Sequence, residues 1–193
     1  MAAKSKRNGL KRLPLNRVYR CLEPGPVILV STAHQGRANV MTASSHVVLL
    51  PDPPKVGLGL GPWNHSYEAL LATGECVIAV PGADLAEKVM DIGNCSGADL
   101  DKFKAFRLTA LPAGVVAPPL IGQCLYNLEC RVCDASLVEE HFFFLFDVVR
   151  AWVNPLRRER RTLHHNGDGT FTLSGRTVNL KERMVKWPEF TRD

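Results

Sequence analysis

The sequence predicts a mainly β protein of the α+β class, an antiparallel β-barrel with short helices inserted mid-chain. Three observations carry this. Short runs rich in β-branched and aromatic residues recur along the chain, bounded by Gly, Pro, Asn or Asp. Stretches with helix start and stop residues fall in the middle, between Ser66 and Phe106. The run Phe142-Phe143-Phe144-Leu145-Phe146 lacks alternation, so burial on both of its faces is expected.

The elements follow in order. Val27 to Val30 is an apolar strand ending in Ser31-Thr32. A turn over Ala33 to Arg37 contains Gly36, and the chain returns through Asn39 to Ser45 into a second apolar run, Val47 to Leu50, closed by Pro51-Asp52-Pro53-Pro54. This reads as a β-hairpin with a cluster of small polar residues beside it. Such a cluster lets a flat polar ligand lie close to the backbone. Lys55 to Leu60 is a third strand, with Gly57, Gly59 and Gly61 suiting close backbone approach. Ser66 to Thr73 is a short helix stopped by Gly74, and Cys76 to Val80 is a strand stopped by Pro81-Gly82. Asp84-Leu85-Ala86-Glu87 has the capping-box pattern, starting a helix to about Ile92. Asp99 is placed to cap another through Phe106. A Pro-rich crossing, Leu111 to Pro119, leads to two long strands, Leu125 to Cys133 and His141 to Val149. After Asn154-Pro155 comes a charged turn or helix start at Arg157 to Arg161, then a hairpin tip over His164 to Thr172.

At 193 residues the chain is expected to be one domain with decorated ends. Its net charge of +5 is unevenly divided. Residues 1 to 20 hold seven Lys or Arg and no acid, whereas residues 21 to 149 hold seven bases and fourteen acids. The basic run Lys4 to Arg12 reads as a solvated tail, not as a folded nucleic-acid-binding face. No apolar run has the length of a membrane span, and the basic start lacks the apolar core of a signal peptide, so a cytoplasmic location is expected. The Cys130-Arg131-Val132-Cys133 spacing sits in a strand, so its thiols point to opposite faces and read as structural rather than metal-binding. His164-His165 reads as a surface pair without metal.

The stretch with Ser31-Thr32, the Gly36 turn, Asn39-x-x-Thr42-x-Ser44 and Pro51-Asp52-Pro53-Pro54 resembles the flavin reductase-like FMN-binding split-barrel family, in particular its flavoredoxin branch. The resemblance continues through His65-Ser66-Tyr67-Glu68, Thr73 to Pro81, Ser96-Gly97-Ala98-Asp99-Leu100-Asp101-Lys102-Phe103 and Leu128-Glu129-Cys130. It covers roughly residues 20 to 155 and implies an antiparallel Greek-key split β-barrel, a homodimer and FMN as cofactor. The organisation it implies is a basic tail over 1–17, an FMN-binding split-barrel domain over 18–155, and a C-terminal extension over 156–193 packing on the barrel or the partner subunit.

The same resemblance places cofactor contacts. Asn39 is expected to bond through its side chain, and Thr42, Ala43 and Ser44 through their backbones, with Met41 and Ser45 completing the segment. Relatives carry an aromatic residue where this chain has Ser45, so that stacking surface is absent. Ser66 is expected near the FMN phosphate, where a helix start with a hydroxyl suits an anion. Lys102 is expected to touch the flavin and favour negative charge on its reduced form. His141 is expected to contact phosphate, although Glu139-Glu140 replaces the family's turn before it. Trp187 is a candidate to cover the ring. No dinucleotide fingerprint, phosphate loop, zinc signature or nucleophile elbow occurs, and no catalytic side chain is assigned. Flavin accepts hydride on its own ring, so none is required. The activity implied is transfer of a hydride from NAD(P)H through FMN to free flavin or ferric iron. The alternatives are a flavoredoxin-like electron-transfer or FMN-carrying protein and a binding module that has lost flavin.

Overall fold

The computed structural model describes residues 25–183, the side chain of Lys181 excepted. The basic tail and Trp187 lie outside the described residues. The strands are β1 (Ile28–His34), β2 (Arg37–Ala43), β3 (His46–Pro51), β4 (Pro54–Gly59), β5 (Glu75–Val80), β6 (Ala110–Leu111), β7 (Leu120–Ile121), β8 (Tyr126–Asp134), β9 (Phe143–Val153), β10 (Leu163–His165) and β11 (Phe171–Leu173). The helices are α1 (Ser66–Thr73), α2 (Ala86–Gly93), α3 (Lys102–Ala105) and α4 (Val138–His141).

Seven strands form one antiparallel sheet in the order β2-β1-β5-β8-β9-β4-β3. Its two edge strands, β2 and β3, are consecutive in the chain and joined by Ser44 and Ser45 alone. That link spans at most about 11 Å. A flat sheet of this order would hold its edges about 29 Å apart. The sheet must therefore curl until its edges meet, yet β2 and β3 do not pair. The result is a barrel split between them.

The barrel fills from both sides of its wall. Ile28 and Val30 of β1 face inward with Leu58, Cys76, Ile78, Cys130, Phe144 and Phe146. Leu70 of α1 and Val138 of α4 join this inner cluster. On the opposite face, Leu29 of β1 and the preceding Val27 pack with Val40, Val89, Ile92, Phe103 and Leu163 under the helices. The aromatic run resolves into alternation: Phe144 and Phe146 are fully buried, whereas Phe143 and Leu145 are half-buried on the outer face. Phe143 lies across Gly57, where an added Cβ would come within 2.3 Å of its ring.

Several expectations change. The second arm of the first hairpin is two strands, because the chain leaves β1 at Ser44-Ser45 and joins β4 at the other edge. The capping box at Asp84 does not form; its carboxylate pairs with Arg157, and Leu85 at the N-cap of α2 has no side-chain bond. The cap of α3 is Asp101, not Asp99, and accepts from Lys104 N at 3.1 Å. His141 ends α4 and does not open the aromatic strand, since Phe142 adopts a left-handed φ of 52° between them.

Glu129 explains how the Pro-rich crossing is held. It is fully buried on β8. Its carboxylate accepts from Gly114 N at 2.9 Å, Val115 N at 2.6 Å, Val116 N at 3.2 Å and Trp152 Nε1 at 2.7 Å. Burial alone pushes its pKa up, but these donors outweigh it and hold the pKa below the ordinary 4.5. A pKa depressed by folding stabilises above the unfolded value and is lost as pH falls through the folded one. Glu129→Gln is expected to lower the unfolding free energy by about 1.5–3 kcal/mol at neutral pH. Urea titration at pH 7 and below 4 checks this: the gap between the two proteins should narrow in acid.

Candidate functional site

The split leaves a groove along β2, in two connected chambers. The first encloses about 430 Å³ and is walled mainly by apolar side chains, among them Val27, Met41, Leu60, Trp63, Val89, Met90, Phe142 and Phe171. The second encloses about 360 Å³ and is polar, lined by Asn39, Asn64, His65, Asn94, Cys95, Ser96 and Lys102. Met41, Thr42, Trp63, Asn64, Gly93 and Asn94 border both. Because β2 is a sheet edge, alternate backbone groups along it have no strand to pair with among the described residues. The groove thus offers backbone polarity along one wall, a polar end and an apolar end.

The predicted segment is brought together here. Met41, Thr42, Ala43, Ser44 and Ser45 all line the apolar chamber, and Asn39 lines the polar one. Thr42 Oγ1 donates to Val89 O at 2.6 Å, fixing β2 against α2. Ser66 is different. It is 1% exposed and lines neither chamber. Its hydroxyl accepts from Asn39 Nδ2 at 2.9 Å and lies 3.3 Å from Thr32 Oγ1. Ser66 therefore holds the Asn39 amide, while His65, one residue earlier, borders the chamber.

Lys102 is 4% exposed and sits in the polar chamber's wall. Its ammonium donates to Ile92 O at 2.8 Å, near the C-terminus of α2, where a cation is favoured. Burial lowers its pKa, and nearby Cys95 acts in the opposite sense. Gly97 lets this wall approach β2: an added Cβ would stand 2.2 Å from Asn39 Oδ1 and 2.7 Å from His65 Cδ2. His141 borders the apolar chamber but is largely exposed, with Glu140 Oε2 at 3.8 Å.

Further residues join the site without having been expected there, Asn64, His65 and Asn94 in the polar chamber and four ring-bearing side chains at the apolar one. Trp63 and Phe142 meet edge-on, ring centroids 4.9 Å apart at 73°. His165 and Phe171, 5.2 Å apart, arrive from β10 and β11. The β10 strand is placed by Leu163, which is fully buried and accepts from Val27 N at 2.7 Å. A Trp between glycine-rich β4 and the His65 helix start was a legible signal; the two C-terminal residues had none. Among the described residues no group of three or more His, Cys, Asp or Glu is arranged to hold a metal ion.

A mainly β split barrel with an amphiphilic groove at its open seam defines a class of small ligand-binding proteins. The chain matches the flavin reductase like domain over residues 19–173 and belongs to that family. It is similar to the protein YddH of Escherichia coli, with 28% identity covering 86% of this chain and 95% of that one. Among solved structures it resembles an FMN-binding domain of a flavin reductases-like enzyme from Shewanella baltica, at 25% identity and a TM-score of 0.75, covering 86% of this chain and 95% of that one. It also resembles the flavoredoxin of Desulfovibrio vulgaris (Miyazaki F), at 21% identity and a TM-score of 0.76, covering 94% of this chain and all of that one.

The tightness at Gly97 is testable without any ligand. Asn39 is held from behind by Ser66, so it cannot swing away from an added methyl. Gly97→Ala is expected to destabilise the fold by about 1–3 kcal/mol through overpacking, read as a lower Tm by calorimetry.

Proposed function

We propose that the chain binds FMN in the groove and passes electrons through it, most simply as a flavin reductase drawing hydride from NAD(P)H for an acceptor such as free flavin or ferric iron. The observation that carries this is the joined pair of chambers along the free edge of β2, one apolar and one polar. The fit is chemical. An isoalloxazine ring needs an apolar wall and hydrogen-bonding groups along one rim, which the Met41-to-Ser45 segment offers beside a sheet edge. The ribityl phosphate and pyrimidine groups need donors, which Asn39, Asn64, Asn94, His65 and Lys102 supply. The FMN-binding domain similar to this chain supports the same reading.

When bound, FMN supplies the redox chemistry by accepting hydride on its ring. The chain's own residues hold and tune it. Asn39, locked by Ser66, orients one polar contact. Lys102, nearly buried, brings positive charge where added negative charge is favoured. Thr42 keeps β2 and α2 in register around the groove. Ser66 acts through Asn39 in this reading, not by touching phosphate itself.

A two-fold partner belongs to the same proposal. Phe143 and Leu145 stand on the outer face with Val47, which is half exposed. Apolar patches of this kind are commonly covered by a second copy, and a homodimer would cover this one.

Four measurements test these statements. Chromophore released from denatured, reconstituted protein should be FMN; FAD or no flavin overturns the reading. Bound FMN should bleach anaerobically with NADH or NADPH, while bleaching by dithionite alone would mark an electron carrier. Lys102→Ala should weaken FMN about 10- to 100-fold, from the loss of a charge-assisted bond of about 1.5–3 kcal/mol; unchanged affinity removes Lys102 from the site. For the partner surface, Phe143→Glu and Leu145→Glu should each give monomers by light scattering, against a wild-type dimer.

A further inference from the structure

We propose that Trp63, backed by Phe142, is the wall on which a flat aromatic electron acceptor stacks in the apolar chamber; the proposal rests on the FMN reading above. Trp63 is 72% exposed, although tryptophan is usually well buried. Its ring nevertheless has a built seat. A Cβ on Gly61 would lie 2.4 Å from Trp63 Cη2 and 2.6 Å from Cζ3, so only glycine leaves the indole its place. Phe142 meets the indole edge-on, and its own carbonyl accepts from Leu60 N at 2.8 Å, which ties it to the end of β4. The turn carrying Trp63 is closed by Asn64 N donating to Gly61 O at 2.9 Å and by Gly61 N donating to Asn64 Oδ1 at 3.3 Å.

A seated yet exposed aromatic is a surface prepared for another flat group. Trp63 borders both chambers, at their junction, and comes from the loop after β4 rather than from β2. The cofactor is assigned to the β2 wall, which leaves the indole for a second ring. Aromatic stacking selects flat, π-rich molecules over aliphatic ones of similar size, so the acceptor class is aromatic.

The test uses FMN-loaded wild type, Trp63→Ala and Trp63→Phe, titrated by calorimetry with 2-naphthol as a flat probe and cyclohexanol as an aliphatic control. FMN content and mass in solution are measured for each. The expected result, per FMN-loaded protein, is 2-naphthol binding weakened about tenfold in Trp63→Ala and largely kept in Trp63→Phe. Equal affinity in Trp63→Ala, or no preference for 2-naphthol over cyclohexanol in the wild type, overturns the proposal. Loss of FMN from Trp63→Ala reassigns the indole to the cofactor, and conversion to monomer reassigns it to a subunit interface; either outcome also overturns it. A wild type that takes up no FMN refutes the flavin reading itself and is recognised before any titration.

Discussion

The two-residue link at Ser44-Ser45 is the constraint on which the rest depends. It ties together strands that the sheet order places at opposite edges. The sheet closes far enough to bury Phe144, Phe146 and Leu58 inside, but the link gives the edges no register in which to pair. Gly59 N instead donates to Ser45 O at 2.7 Å, so the link is fastened to the start of the loop that leads to Trp63. An unpaired edge costs hydrogen bonds unless water or a ligand supplies them. The split is thus both the fold's unfinished seam and the wall of its groove.

Two buried polar groups hold chain segments in a defined shape, one beside the seam and one on β8 away from it. On one side, Ser66, itself bonded by Thr32, holds the Asn39 amide, and Asn39 in turn faces Gly97. On the other, Glu129 gathers three consecutive backbone N–H groups of the crossing between β6 and β7. Buried polar groups with full sets of partners are rigid, and a missing partner is expensive. Both clusters sit within motifs by which the sequence resembles its family, Ser66 after His65 and Glu129 between Leu128 and Cys130. Their geometry gives those motifs a structural reason: Ser66 positions a wall of the groove through Asn39, Glu129 fastens the crossing to β8, and neither side chain lines the two chambers.

The strands were legible because each carries its own local pattern. Helix α1 appears with the expected limits, Ser66 to Thr73, since Gly74 takes the left-handed φ of 65° that its C-cap requires. Local signals failed where a distant partner competed. Asp84 had the spacing for a capping box, but Arg157 took its carboxylate. The apolar run at Val47 to Leu50 looked like the return arm of a hairpin, and only the choice of β4 as its partner separates the two readings. In the groove, Met41 to Ser45 were readable because they are contiguous. His165 and Phe171 were not, because their place depends on Leu163 entering the core beneath Val27.

The aromatic surface of the groove shows how such a site can vary without changing the fold. This chain has Ser45 where an aromatic residue was expected by resemblance. Ser45 is exposed, and its carbonyl is engaged by Gly59 N at 2.7 Å. Four residues beyond Gly59, Trp63 projects into the junction of the chambers, on a seat that Gly61 leaves free. Phe142 supports it from the same side of the split, just before β9, which pairs with β4. Aromatic area is therefore present at the groove but enters from the β4 side of the seam, not from the link itself. A ring on the link is fixed by two strands; one on a loop is fixed by its turn and its neighbour alone. The Trp63 turn is closed by the two bonds between Gly61 and Asn64, whereas β2 is held along its whole length by β1.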